Sequence, residues 1–512
     1  MTTTAHSRLQ AGDPVTLDLA DIQSYVLYPV AFPYARFSFF QVPGVEAGRQ
    51  FVRALATMVT NAMHSGRPYE ERKESEVTVA FTHDGLAAIG VPARSLVSFP
   101  LEFQQGMKAR AEQYLVDRGR SHPREWEAIW DKGTIHVFVG IQTTDRPDPA
   151  QPGKLLVAGK AKLEELHQLV LQHALASGVA PVGKQDGGAL IDPRTKHHSD
   201  MEHFGYSDGI GNPDIAGDGW PAPPGSGKSD GKGRWLPLAA GEFILGAPDE
   251  AGEMPVAPAP VGLSRNGSYM AYRKLHENVT SFRRWLQAEG ERFEGGPELL
   301  AAKLVGRFRD GTPLELSPDR PYNTTLQERL DPKSIHRLTD FTYENDKEGT
   351  RCPMGSHLRR MNPRDSLGFD GVLVNRRRII RRGVPYGEWV PEDLPLDQAE
   401  ELDRYDAQRE SRHGVIFVAL NANLERQFEF VQREWVNYGN DFRQGNDRDP
   451  LLGNREGEDR MVIQGDASGA EPRPPHLCSG LPQFVTTRGG AYFFIPGLTA
   501  LRLIGAGTIE TT

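Results

Sequence analysis

Three short stretches carry residues whose types and spacing could do chemistry. In HFGYSDGIGNPD, residues 203–214, a lone acid, Asp208, stands between Ser207 and Gly209 among closely spaced glycines. In TRCPMGSHLRRMNPRDS, residues 350–366, His357 is followed by Arg359, Arg360 and Arg364. In NRRRIIRRGVPYG, residues 375–387, five arginines fall within seven residues. Each stretch alone has a plain explanation: a solvated turn, a capped turn with a polar histidine, a solvated basic face. The arginine run resists it in one respect. Side chains alternate along a strand, so Ile379 and Arg381 would share one face and Ile380 and Arg382 the other. One guanidinium is then drawn inward, where it needs a charge or a ligand to meet.

An acid, an imidazole and a guanidinium can serve several chemistries. Zinc fits poorly, because neither HExxH nor a Cys/His cluster supplies further ligands at a standard spacing. The two cysteines, Cys352 and Cys478, cannot build a four-cysteine metal centre or a disulfide scaffold. Cys352, beside Pro353, reads as a packed small hydrophobe. A serine nucleophile fits poorly too, since GYSDG lacks the glycine-serine-glycine context of a strand-to-helix elbow. A haem needs only one histidine, on one face. The other face stays free for an acid and an arginine, and further arginines could answer two propionates. Of the remaining histidines, His197, His198 and His203 read as solvated loop residues, and His136 and His167 as structural ones.

These residues need elements to position them. Alternation predicts strands at 34–42, 134–143, 242–249, 267–276 and 414–423, and again within 483–504, while 75–90 reads as strand, then turn, then helix. Helical spacing predicts helices at 46–65, 161–177, 278–290 and 424–437. The order strand, helix, strand, strand, helix occurs twice, which is the grammar of an α+β sandwich. A glycine- and proline-dense stretch at 216–234 reads as a flexible surface loop between the halves, and NREGEDR and DASGAEPRPP as later loops. A chain of 512 residues is long for one core, so two domains are expected. Net charge is -9, which argues against nucleic acid as a partner. No apolar run of membrane-spanning length and no basic-then-apolar leader occurs, so no membrane segment is expected and a cytoplasmic setting is favoured.

At this point the sequence resembles the dye-decolourising peroxidase family. FGYSDG looks like its GxxDG motif, CPMGSHLRRMNPR like the segment with its proximal histidine, and RRGVPYG like the segment with its distal arginine. The likeness extends through DLADIQSYVL, where Ser24 replaces the usual glycine, and through LVGRFRDGTP, DPLLG and QFVTTRGGAYFFIP. It implies two ferredoxin-like α+β domains with antiparallel sheets, 1–215 and 216–512, and haem b held mainly by the second. It implies His357 as the axial iron ligand, Asp208 as the distal acid and Arg381 as the distal arginine. It further implies Arg360 near a haem propionate, Val415 (usually leucine) and Phe417 in the distal wall, and a carboxylate behind the histidine, Asp449 in preference to Glu425. The implied partners are hydrogen peroxide and a dye, phenol or other small reductant, and a homodimer is compatible with the fold. The rival is a haem protein with another task, such as storage, sensing or iron release, which would share His357 but would not need Asp208 and Arg381.

Overall fold

The computed structural model describes residues 16–509 except 28–32, 65–72, 132–133, 148–154, 193–194, 196, 220–223, 332–333, 392–393, 405–409, 456–458 and 467–471. The N-terminal stretch through residue 15 and parts of the three expected loops lie outside the described residues.

The first half runs β1 (Tyr34–Gln41), α1 (Val45–Ala56), β2 (Ser75–Phe81), β3 (Val137–Thr143), α2 (Gly159–Ala176) and β4 (Ala180–Gly187). Its strands lie side by side in the order β2-β3-β1-β4, all antiparallel. The second half repeats the plan with β5 (Ser268–Glu277), α3 (Val279–Gly290), the short strands β6 (Ile380–Arg381) and β7 (Val384–Tyr386), β8 (Gly414–Asn421) and β9 (Val485–Ile495). Here the order is β6-β8-β5-β9, with β7 also on β8. Both halves are therefore ferredoxin-like.

The two sheets are one. β9 meets β2 where Phe494 faces Phe81, and nine strands form a continuous sheet. Its far ends also approach each other, because the Gly188 amide donates to Pro385 O at 2.9 Å. A side chain at Gly187 would collide with Val384 and with Pro385 O, so this closure needs glycine there. Inward-facing residues of β1, β3, β5 and β9, among them Phe37, Phe138, Tyr272 and Phe493, pack as an aromatic core. Curling the sheet removes most of its exposed edge.

Several elements depart from the sequence expectation. The helix expected to 65 stops at Ala56, where Thr57 begins a turn and the Thr60 amide instead pairs with Val77 O at 3.0 Å. Residues 242–249 form no strand: a tight turn at Ala240–Glu242 is followed by Phe243, Ile244 and Leu245 buried in the core. Gly246, at φ +90°, bends the chain away before a strand can form. The helix expected over 424–437 is wound as π-helix at Glu425–Glu429 and Val431–Val436. The loop after 216 is packed at 225–227, where a side chain at Gly225 would overlap Thr339 O and Ser226 is buried, while residues 231–234 are exposed. Among the described residues no helix is long and apolar enough to cross a membrane.

Candidate active site

Asp208 sits on a tightly wound loop. The Glu202 carboxylate accepts the amides of Phe204 (2.7 Å) and Tyr206 (2.8 Å), and Gly205 turns at φ +89° between them. The Asp208 amide donates to Asp200 O at 2.9 Å, and Asp200 is itself gripped by both arms of Arg329 at 2.7 Å. Gly209 follows at φ +81°, a conformation costly for other residues. The backbone is thus over-determined on both sides of the acid.

Arg381 reaches Asp208 from β6. Its Nη1 donates to Asp208 Oδ1 at 2.9 Å and its Nη2 to Ile210 O at 2.9 Å. The Gly209 amide takes the same Oδ1 at 2.6 Å. Both donors to the carboxylate fall on one oxygen, so Oδ2 receives neither of them. Enclosure pushes the Asp208 carboxyl up, but Arg381, the Gly209 amide and the His357 ring together outweigh it and hold it below the usual aspartate value. Arg382 points the opposite way, as strand alternation demands, and is buried against Tyr25 O and Val26 O.

His357 opens the short helix α4 (His357–Met361) and lines the same cleft. Its Nδ1 lies 3.0 Å from Asp449 Oδ2. The other Asp449 oxygen accepts the amides of Leu451 (2.9 Å) and Leu452 (2.8 Å), and the residue is fully buried. Burial raises the Asp449 carboxyl, yet the His357 ring beside it wins and keeps it below the ordinary range. A charged Asp449 makes Nδ1 the protonated nitrogen and turns the Nε2 lone pair outward as a possible metal ligand.

Between these groups lies a cleft of about 280 Å³. Its walls are largely apolar, with Leu358, Met361, Phe417, Phe428, Val431 and Leu451. Val415 and Phe417 both line it from β8. Three arginines, Arg307, Arg364 and Arg378, also border it and have no carboxylate ion pair among the described residues. All three are buried, and they lean on backbone carbonyls instead, Arg364 on Phe341 O at 2.7 Å and Arg307 on Leu338 O at 2.7 Å. Burial pushes the Arg307 and Arg378 guanidiniums down to about 9. Uncompensated buried cations of this kind call for an anionic ligand.

Arg360 does not join them. Its guanidinium donates to Trp435 O (2.6 Å), Tyr438 O (2.9 Å) and Asp447 O (3.1 Å), and it is fully buried behind the histidine. In a short helix a residue three positions on shares the histidine's side, but here that side faces the segment around Trp435. His203 is not solvated either: it is buried, with Nε2 2.9 Å from Tyr386 O. Glu202 and Glu277 line the cleft without having drawn notice in the sequence. Glu277 falls just past the predicted strand at 267–276 and is the last residue of β5.

A family model described as the DyP dimeric alpha+beta barrel domain matches residues 21–151. The multifunctional dye peroxidase of Amycolatopsis sp. is 30% identical, covering 98% of this chain and 99% of the relative. A dye-decolorizing peroxidase of Mycetinis scorodonius is 26% identical over 98% of this chain and 90% of its own length. The solved Amycolatopsis structure superposes with a TM-score of 0.68 at 26% identity, covering 94% and 96% of the two chains. That of the peroxidase from Auricularia auricula-judae reaches 0.72 at 22% identity over 96% and 100%, a likeness of fold. A closed double ferredoxin-like sheet presenting one cleft between an acid–guanidinium pair and a carboxylate-backed imidazole is the architecture of a peroxidase. Within that class the chain belongs to the dye-decolourising peroxidase family.

Proposed function

We propose that this peroxidase binds haem b through His357 and uses Asp208 and Arg381 to reduce hydrogen peroxide at the expense of dyes, phenols or similar organic reductants. The observation that carries this reading is the meeting of two distant pairs, Asp208–Arg381 and His357–Asp449, in one apolar cleft. The residues suit the group: one imidazole nitrogen remains for iron, the walls suit a porphyrin, and buried arginines await carboxylates. When bound, the haem supplies the iron that takes up the oxidising equivalents of peroxide.

The chain's own residues do the rest. Asp449 keeps the proton on Nδ1 of His357 and so orients the ring. Asp208 Oδ2 accepts a proton from peroxide entering the cleft and returns one to the departing oxygen as water forms. Arg381 holds Oδ1 still and places a fixed positive charge where negative charge develops. Phe417 and Val415 exclude bulk water from that side.

Stopped-flow mixing with peroxide tests the assignment. Asp208→Asn is expected to slow the peroxide-driven spectral change about 10²–10⁴-fold, the usual worth of a positioned general base, while haem stays bound. Full-speed reaction in that variant sinks the proton-transfer role. His357→Ala is expected to change the haem absorption spectrum, and an unchanged spectrum rejects it as ligand.

A further inference from the structure

Ligating side chains also meet away from the cleft. Two antiparallel strands, Asp459–Ile463 and His476–Leu481, pair with Ile463 opposite His476 and Met461 opposite Cys478. His476 and Cys478 stand two positions apart, so both point to the same face of their strand. The strand lies against α3. Trp285 Nε1 donates to Ser479 O at 3.2 Å, and the Phe293 ring just beyond the helix meets His476 edge-on with centroids 5.0 Å apart. Glu289, in the last turn of α3, completes the group: its Oε1 lies 2.8 Å from His476 Nε2, across 187 positions of sequence. The ligand atoms of Glu289, His476 and Cys478 all lie within 4.8 Å of one another. Cys478 and Glu289 are buried, Cys478 forms no disulfide, and the His476 side chain keeps 20% of its surface open to solvent.

We propose that Glu289, His476 and Cys478 form a binding site for a borderline-soft divalent cation of the zinc class, which clips this hairpin to α3. Thiolate sulfur, imidazole nitrogen and carboxylate oxygen are the three donor types that zinc takes. Neighbouring ligand atoms around tetrahedral zinc sit about 3.3–3.6 Å apart. His476 Nε2 and Glu289 Oε1 therefore part by about half an ångström on binding, and the thiol turns inward, which side-chain rotation allows. Binding releases the thiol proton and shifts the imidazole proton to Nδ1. Thiolate and carboxylate together then balance the two positive charges of the ion, so no net charge is buried.

The surroundings suit this reading. Arg292 Nη1 donates to Glu289 Oε2 at 3.0 Å, which fixes the carboxylate and leaves Oε1 turned to the histidine and the thiol. Three protein ligands leave a fourth position for water, reached from the open side of His476. A thiolate in the set disfavours the hard cations magnesium, calcium and manganese, which prefer oxygen donors. Another histidine-rich group among the described residues, His276, Asp403 and His413, is less apt. It offers one negative ligand for two charges, and His413 Nε2 is shared between Asp403 Oδ1 at 2.9 Å and Glu277 O at 3.1 Å. The plain rival at Glu289 is an ordinary imidazole–carboxylate pair beside a packed thiol, and that rival gives no bond between sulfur and added zinc.

Zinc itself is the probe, added in equimolar amount to the haem-loaded protein. X-ray absorption at the zinc edge, where haem iron is silent, is expected to show one sulfur at about 2.3 Å and lighter ligands at about 2.0–2.1 Å. Equilibrium dialysis is expected to find zinc retained against an equal concentration of manganese. His476→Gln and Cys478→Ser should each weaken zinc binding by more than about tenfold, since even the loss of an outer partner costs that much. Hydrogen exchange at the amides of 459–463 and 476–481 is expected to slow with zinc in the wild type but not in His476→Gln. Should Cys478→Ser not fold, the sulfur signal of the wild type and the partly exposed His476→Gln carry the test. A zinc shell without sulfur, undiminished binding in His476→Gln, or displacement by manganese overturns the site. Sulfur-bound zinc with unchanged exchange overturns the clip. No readout passes through the peroxide reaction, so this inference and the proposed function fail separately.

Discussion

Asp208 and Arg381 lie 173 positions apart in sequence, and His357 and Asp449 are separated by 92. At the residue scale the site is two pairs, carboxylate with guanidinium and carboxylate with imidazole, whose members each change what the other can do. Arg381 keeps Asp208 ionised, so the base form persists until pH falls through a value below the ordinary one. Arg381→Ala removes the second-largest influence on that carboxyl and leaves the largest, enclosure, which raises it. The acid limb of the peroxide reaction is therefore expected to shift upward in pH in this variant, read from pre-steady-state rates across a pH series. An unmoved limb would show that Arg381 does not set the charge of Asp208. Motif spacing marked His357, Asp208 and Arg381 as candidates. Choosing Asp449 over Glu425 was only weakly anchored in sequence, because both carboxylates follow β8 at distances from which either could return. The carbonyl partners of Arg360 were hidden for the same reason: three positions along a helix sets a direction, but not which neighbour occupies it.

At the scale of elements, the loop at 202–209 shows how local backbone shape serves a side chain. Gly205 stands at φ +89°, and a Cβ there would lie 2.8 Å from Arg309 Nη1. The guanidinium end can yield, so the left-handed backbone decides the cost. Gly205→Ala is expected to destabilise by about 1–2 kcal/mol, measured by urea unfolding. It should also lower the peroxide rate more than a surface change of equal stability cost, because Asp208 is three residues away. The strands with strict alternation were legible because both faces of each are set by residues within it. The segment at 242–249 was not. Its apolar residues are buried as expected, but Glu242 is drawn to Arg426 at 2.6 Å from another segment, and that tie holds a turn rather than a strand. The π-winding over 425–436 was equally hidden, since it is set by backbone i→i+5 bonding that side-chain pattern does not specify.

The whole molecule depends on the seam between its halves. Phe494 of β9 faces Phe81 of β2, is fully buried, and packs edge-on against Phe99 with centroids 5.3 Å apart. Phe494→Ala is expected to cost about 3–5 kcal/mol in a denaturant titration. Because one sheet runs through both halves, both should unfold together in a single transition. Two separate transitions would mean that the halves are independently stable. By itself the sequence determined much of the element order, the family likeness and the three segments that carry chemistry. Those features are written in spacing between near neighbours, which short-range sterics and side-chain periodicity decode. Only the tertiary structure decided which arginines lose their water, which carboxylate stands behind His357, and that two glutamates share the wall of the cleft. Those outcomes follow from desolvation and from contacts between segments far apart in sequence, and both arise only when the sheet curls and closes.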